Sequence, residues 1–97
     1  MEKINLEIIR NGEIVNTFEN EKTNLIKLLS YMSGRELKGS RCYYKINVVH
    51  SYNRNGIDLA DIEITFKDEP TLKYLWHNVP LDSYGVISEQ AILKVVE

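Results

Sequence analysis

The chain has 97 residues, 12 Lys and Arg against 14 Asp and Glu, and a 43% hydrophobic share. That suffices for one domain with its own core over residues 1–97, and leaves no room for a second. A mixed charge pattern with a net of −2 excludes a disordered polyelectrolyte, and its short apolar runs exclude a membrane-spanning helix. A single cysteine, Cys42, excludes an internal disulfide and suits a reducing compartment. With no leader-like start, the expected location is the cytoplasm of a producing or infected cell.

The first predicted element is a hairpin over 4–18. Ile4, Leu6 and Ile8 alternate with polar residues, and Asn11-Gly12 supplies a two-residue turn that tolerates positive φ at both centres. Pairing about that turn sets Ile9 opposite Ile14, Ile8 opposite Val15 and Leu6 opposite Thr17. Ile4, Leu6, Ile8, Val15 and Thr17 then share the core face, and Ile9, Ile14 and Phe18 point the other way.

A helix follows, capped by Asn20 or Thr23. Its apolar stripe is Leu25, Leu28, Leu29 and Met32, and Gly34 is placed to end it. Residues 35–41 read as a basic connector. Two strands come next, 43–51 and 59–67, separated by a turn-rich loop over 52–56. A register matching Tyr44 with Phe66, Ile46 with Ile64 and Val48 with Ile62 puts both apolar sets on one face.

In the last third, Asp68-Glu69-Pro70 reads as the start of a short helix with Leu72, Leu75 and Trp76 on its buried side. Pro80 and the segment 82–85 break it, and residues 91–96 are rich enough in β-branched side chains for a fifth strand. The expected fold is therefore α+β: an antiparallel sheet of about five strands in the order β-β-α-β-β-α-β, with helices packed on one face.

The modest net charge hides a segregation. Residues 22–54 carry seven bases and one acid, whereas the flanking thirds are acidic. Tyr31, Tyr43, Tyr44 and Tyr52 lie in the same basic stretch, a combination that suits phosphate contacts and base stacking. A nucleic-acid surface would use Lys22, Lys27, Arg35, Lys38, Arg41 and Arg54. Against this, Lys45 stands diagonal to Glu63 in the expected register, so part of the charge is paired within the sheet. No RNA- or DNA-binding motif is recognisable.

Residues with catalytic chemistry are few and scattered. His50 falls on the core-facing phase of its strand, and His77 falls at the end of the expected second helix. Cys42 follows Arg41, without a histidine partner arranged by sequence. Asp58, Asp61 and Glu63 form an acidic run, but the spacing departs from that of metal-dependent nucleases, with Thr65 where a lysine is needed. No catalytic residue, cofactor or metal site is expected. Surface recognition remains. If the two hairpins are adjacent, Ile9, Ile14, Phe18, Tyr43 and Val49 form an apolar and aromatic cluster on the outer sheet face.

In overall style, a compact α+β chain rich in Asn, Ile, Lys and Tyr and without catalytic apparatus, the sequence resembles small accessory proteins of phages and mobile elements. That resemblance implies an inhibitor of a host defence protein or an adaptor of host machinery. The expected function is non-enzymatic binding of a protein partner through Phe18, Tyr43, Val49, Tyr52 and Arg54, with nucleic-acid binding as the alternative and a homodimer open.

Overall fold

A computed structural model describes residues 3–32, 44–67 and 69–94. Gly34, the connector 35–41, Cys42, Tyr43 and residues 95–97 lie outside them. In chain order the elements are β1 (Asn5–Arg10), β2 (Glu13–Phe18), α1 (Lys22–Met32), β3 (Tyr44–Arg54), β4 (Ile57–Phe66), β5 (Glu69–Pro80) and α2 (Glu89–Leu93). The five strands form one antiparallel sheet in the order β2-β1-β5-β4-β3.

Both hairpins turn on Asn-Gly pairs with positive φ: Asn11 at 54° and Gly12 at 79°, Asn55 at 53° and Gly56 at 80°. These are the values a type I′ turn requires. Next to the first turn the expected pairs form, Arg10 with Glu13 and Ile9 with Ile14. A bulge then takes up Val15, so that Ile8 pairs with Asn16 and Leu6 with Phe18. One extra residue reverses every side chain beyond it. Phe18 therefore shares the face of Leu6, not the outer face expected for it, and Val15 is exposed.

The second hairpin keeps the expected register at Tyr44–Phe66, Ile46–Ile64 and Val48–Ile62. A bulge at Val49 then shifts the ladder, and His50 pairs with Asp61. His50 is thus exposed and turned from the core side assigned to it. The supposed 52–56 loop is mostly strand, with Tyr52 opposite Leu59 and Arg54 opposite Ile57. Only Asn55-Gly56 turns.

The last third departs most from expectation. Residues 69–80 form a strand, not a helix, and it occupies the middle of the sheet between β1 and β4. Leu72, Leu75 and Trp76 fit a helical spacing, but Leu72, Tyr74 and Trp76 fit an alternating one equally well. Pairing along both edges decides between them, and Leu72 and Trp76 are buried. The fifth strand expected over 91–96 is replaced, through Leu93, by α2. Ser88 caps this helix, its Oγ accepting from Ala91 N at 3.1 Å. The observed order is thus β-β-α-β-β-β-α.

Helix α1 begins at Lys22, with Glu21 O accepting from Leu25 N at 3.0 Å. Thr23 lies inside the first turn, and Asn20 takes a left-handed φ of 58° in the connection from β2. Glu21 N also donates to Ile4 O at 2.8 Å, which ties the start of the helix to the sheet. The core joins Ile4 and Leu6 of the first hairpin region to Ala60, Ile62, Ile64, Trp76 and Val79. Leu25 of α1 and Ile92 of α2 enter the same cluster. No helix among the described residues is long and apolar enough to cross a membrane.

Candidate functional site

Along a strand successive side chains point to opposite faces. Leu6, Trp76 and Ile62 are register partners and point into the core. Their neighbours Asn5, Glu7 and His77 therefore stand on the other face of the sheet. Asp61 joins them there, because a bulge in β5 leaves His77 and Asn78 against this one residue of β4. Asn78 takes up the extra length with φ 62°, a left-handed conformation that Asn tolerates better than most residues.

The result is an open hollow of about 420 Å³ lined by Asn5, His50, Tyr52, Arg54, Asp61, His77 and Asn78. A continuous polar chain runs across its floor. His77 Nε2 is bonded to Glu7 Oε1, and His77 Nδ1 stands 3.3 Å from Asp61 Oδ1. A neutral imidazole carries one N–H and can donate to one of these carboxylates, whereas a protonated ring donates to both. Tyr52 Oη lies 2.9 Å from Asp61 Oδ1 and 2.6 Å from Asn78 Oδ1, and it accepts from Asn78 N at 3.1 Å. Its single hydrogen serves two acceptors.

Burial and the adjacent Asp61 push the Tyr52 phenol up to about 12, partly opposed by the Asn78 N–H and by Arg54. The Arg54 guanidinium sits 4.8 Å from the Tyr52 ring centroid, a cation–π distance, and the His50 ring lies 5.6 Å from Tyr52 at 36°. Residues of β1, β5, β4 and β3 are thereby tied across four strands. Such a network positions side chains and fixes the edge strand.

The residues expected to bind a protein are divided by this architecture. Val49, Tyr52 and Arg54 lie together on β3, with Val49 in the bulge. Phe18 lies on the opposite face, and Tyr43 is outside the described residues. The expected outer cluster does not form as one patch, because β5 and β4 separate β1 from β3. Ile9 and Ile14 stand towards one edge of the sheet, Val49 at the other, and Glu63, Asp61 and His77 of β4 and β5 come between.

Of the basic set, Arg35, Lys38 and Arg41 are outside the described residues. Lys22 and Lys27 are on α1. Lys27 borders a groove with Leu6 and Trp76, whereas Arg54 borders the hollow with Asn5 and His77, so these two cations lie on opposite faces of the sheet. Lys45 pairs with Thr65, and the ion pair of Glu63 is made by Lys73 at 3.8 Å. The three acids of β4 are spread among separate partners: Asp58 accepts from Asn53 Nδ2 at 2.9 Å, and Asp61 belongs to the hollow.

Sequence reasoning missed the hollow as a unit. Its available signal was the row of polar residues on the non-core phase of each strand, Asn5 and Glu7, Asp61 and Glu63. Only the β1–β5–β4 pairing brings His77 to them. Comparison with protein-family models, curated proteins and solved structures gives no match.

Proposed function

We propose that the protein is a non-enzymatic binding module that acts by covering part of a protein partner, and that β3 carries the contact. The observation behind this reading is the grouping of Val49, Tyr52 and Arg54 on one long edge strand. Val48 is 54% and Val49 58% exposed there, an unusual presentation for β-branched apolar side chains. An edge strand offers unpaired backbone groups, and natural sheets usually guard such edges unless they are used. β3 has β4 on one side and no strand on the other among the described residues. Addition of a partner segment along it gives backbone hydrogen bonds, while Val49 and Arg54 supply selectivity.

The polar hollow supports this role by fixing Tyr52, and through it the Arg54 guanidinium, before any partner arrives. A preorganised contact loses less conformational entropy on binding. In the setting implied by the likeness to accessory proteins of phages and mobile elements, the partner is a host protein, such as a defence factor, and the outcome is inhibition or adaptation. The nucleic-acid reading draws less support, because Lys27 and Arg54 face away from each other.

Capture from extract on the immobilised chain tests the proposal. A protein held by the wild type should be lost with Val49→Asp and weakened with Arg54→Glu, both at exposed positions and both checked for folding by circular dichroism. Equal retention by all three would overturn the assignment to β3.

A further inference from the structure

The other face of the sheet carries a second concavity, unrelated to the hollow. It lies between α1 and the inner face of β1 and β5, has a volume of about 480 Å³, and is walled by Leu6, Ile8, Phe18, Leu28, Phe66 and Trp76. Phe18 belongs to this wall only because the Val15 bulge reverses the end of β2. The size falls within the ordinary range of small-molecule sites, roughly 300–1,000 Å³, and the lining is mostly apolar as such sites are.

Two of its lining residues, Trp76 and Lys27, carry hydrogen-bond donors. Trp76 is 1% exposed, and its indole N–H is buried with no hydrogen-bond partner among the described residues. A buried donor left unpaired costs on the order of 1–3 kcal/mol, so an incoming acceptor is favoured there. At the rim stands Lys27, exposed and without an ion pair among the described residues. Among the described residues the one carboxylate at the rim is Glu21, which is engaged by the Asn24 side-chain amide. We propose that this groove binds an amphipathic monoanion: an alkyl chain against the apolar wall, with a carboxylate as the acceptor that the two donors lack. The inference rests on the charge of Lys27 and the unpaired Trp76 N–H beside an apolar wall, and is independent of the role proposed for β3.

Trp76 is the single tryptophan of the chain, so its fluorescence reports on the groove directly. Dodecanoate, titrated below its micellar concentration, should change Trp76 emission saturably with a dissociation constant below about 1 mM. Dodecyltrimethylammonium over the same range should not. Lys27→Arg should retain the response and Lys27→Glu should weaken it at least tenfold, and both changes sit at an exposed helix position that tolerates them. Absence of a saturable response, an equal response to the cationic amphiphile, or indifference to Lys27→Glu would each overturn the proposal. So would an emission change that follows protein concentration alone, which would mean that a second copy of the chain fills the groove.

Discussion

The Tyr52 hydroxyl lies 2.9 Å from Asp61 Oδ1, and through this contact the edge strand β3 is joined by side chains to the interior of the sheet. Asp61 in turn meets His77, and His77 meets Glu7, so the link passes from β3 to β1 without relying on backbone pairing. Fixing an edge strand in this way keeps its outward side chains in one arrangement.

Ionisation of the Tyr52 phenol is held back in the folded protein. Its folded-state value of about 12 lies above the ordinary tyrosine value of 10.0. The folded form therefore holds the proton more tightly than the unfolded form, and stability should fall as pH rises from about 10 to about 12, with no effect from this group below that window. The difference between absorbance titrations of the wild type and Tyr52→Phe isolates the group. A midpoint near 12 is expected, and one near 10 would contradict the hydrogen-bonded, partly buried placement.

Loss of the hydroxyl should also cost stability. Tyr52→Phe leaves the ring in place but deprives Asp61 and Asn78 N of a partner. For a half-buried network the expected loss is about 1 kcal/mol in urea unfolding. No change in the midpoint would show that solvent replaces the bond at no cost.

Glu7 and His77 should be energetically coupled across β1 and β5. Both are partly exposed, with side-chain exposures of 23% and 31%, so the coupling is screened. A double-mutant cycle with Glu7→Gln and His77→Gln should give a coupling of about 0.5–1 kcal/mol. Strict additivity of the two substitutions would contradict this contact.

The turn that aligns β3 with β4 depends on Gly56. Its φ of 80° is one that L side chains rarely adopt, yet an added methyl would meet nothing within 4 Å. Gly56→Ala should therefore cost about 1–2 kcal/mol through the backbone alone. The thermal midpoint would fall without change in the folded-state spectrum. A neutral result would mean that the turn relaxes to another type.

Much of the fold was legible because its signals are local. Asn11-Gly12 and Asn55-Gly56 announce their turns, and pairs such as Ile9–Ile14 and Ile46–Ile64 follow from alternation. The bulges at Val15 and Val49 have no such signature, since a bulge is a relation between two strands. They reversed Phe18 and His50 relative to expectation. In residues 69–80 two periodicities coexist, at Leu72, Leu75 and Trp76 and at Leu72, Tyr74 and Trp76, and the choice was made by the neighbours on either side. The start of α2 was locally encoded by Ser88-Glu89, a cap followed by an acid, but the apolar residues after it read more strongly as strand. The hollow draws on β1, β3, β4 and β5, and its members are up to 73 positions apart in sequence, from Asn5 to Asn78. Contacts of that range follow from the strand order β2-β1-β5-β4-β3, which alternation along single strands does not specify.

The most direct test of the role proposed for β3 is amide hydrogen exchange on the protein, alone and with its captured partner bound. Exchange in the complex should slow chiefly in Val48–Arg54, the outward edge of the sheet, and the same footprint should be lost with Val49→Asp. Protection confined to α1 or to the exposed turn around Tyr84, with β3 exchanging as in the free protein, would contradict it.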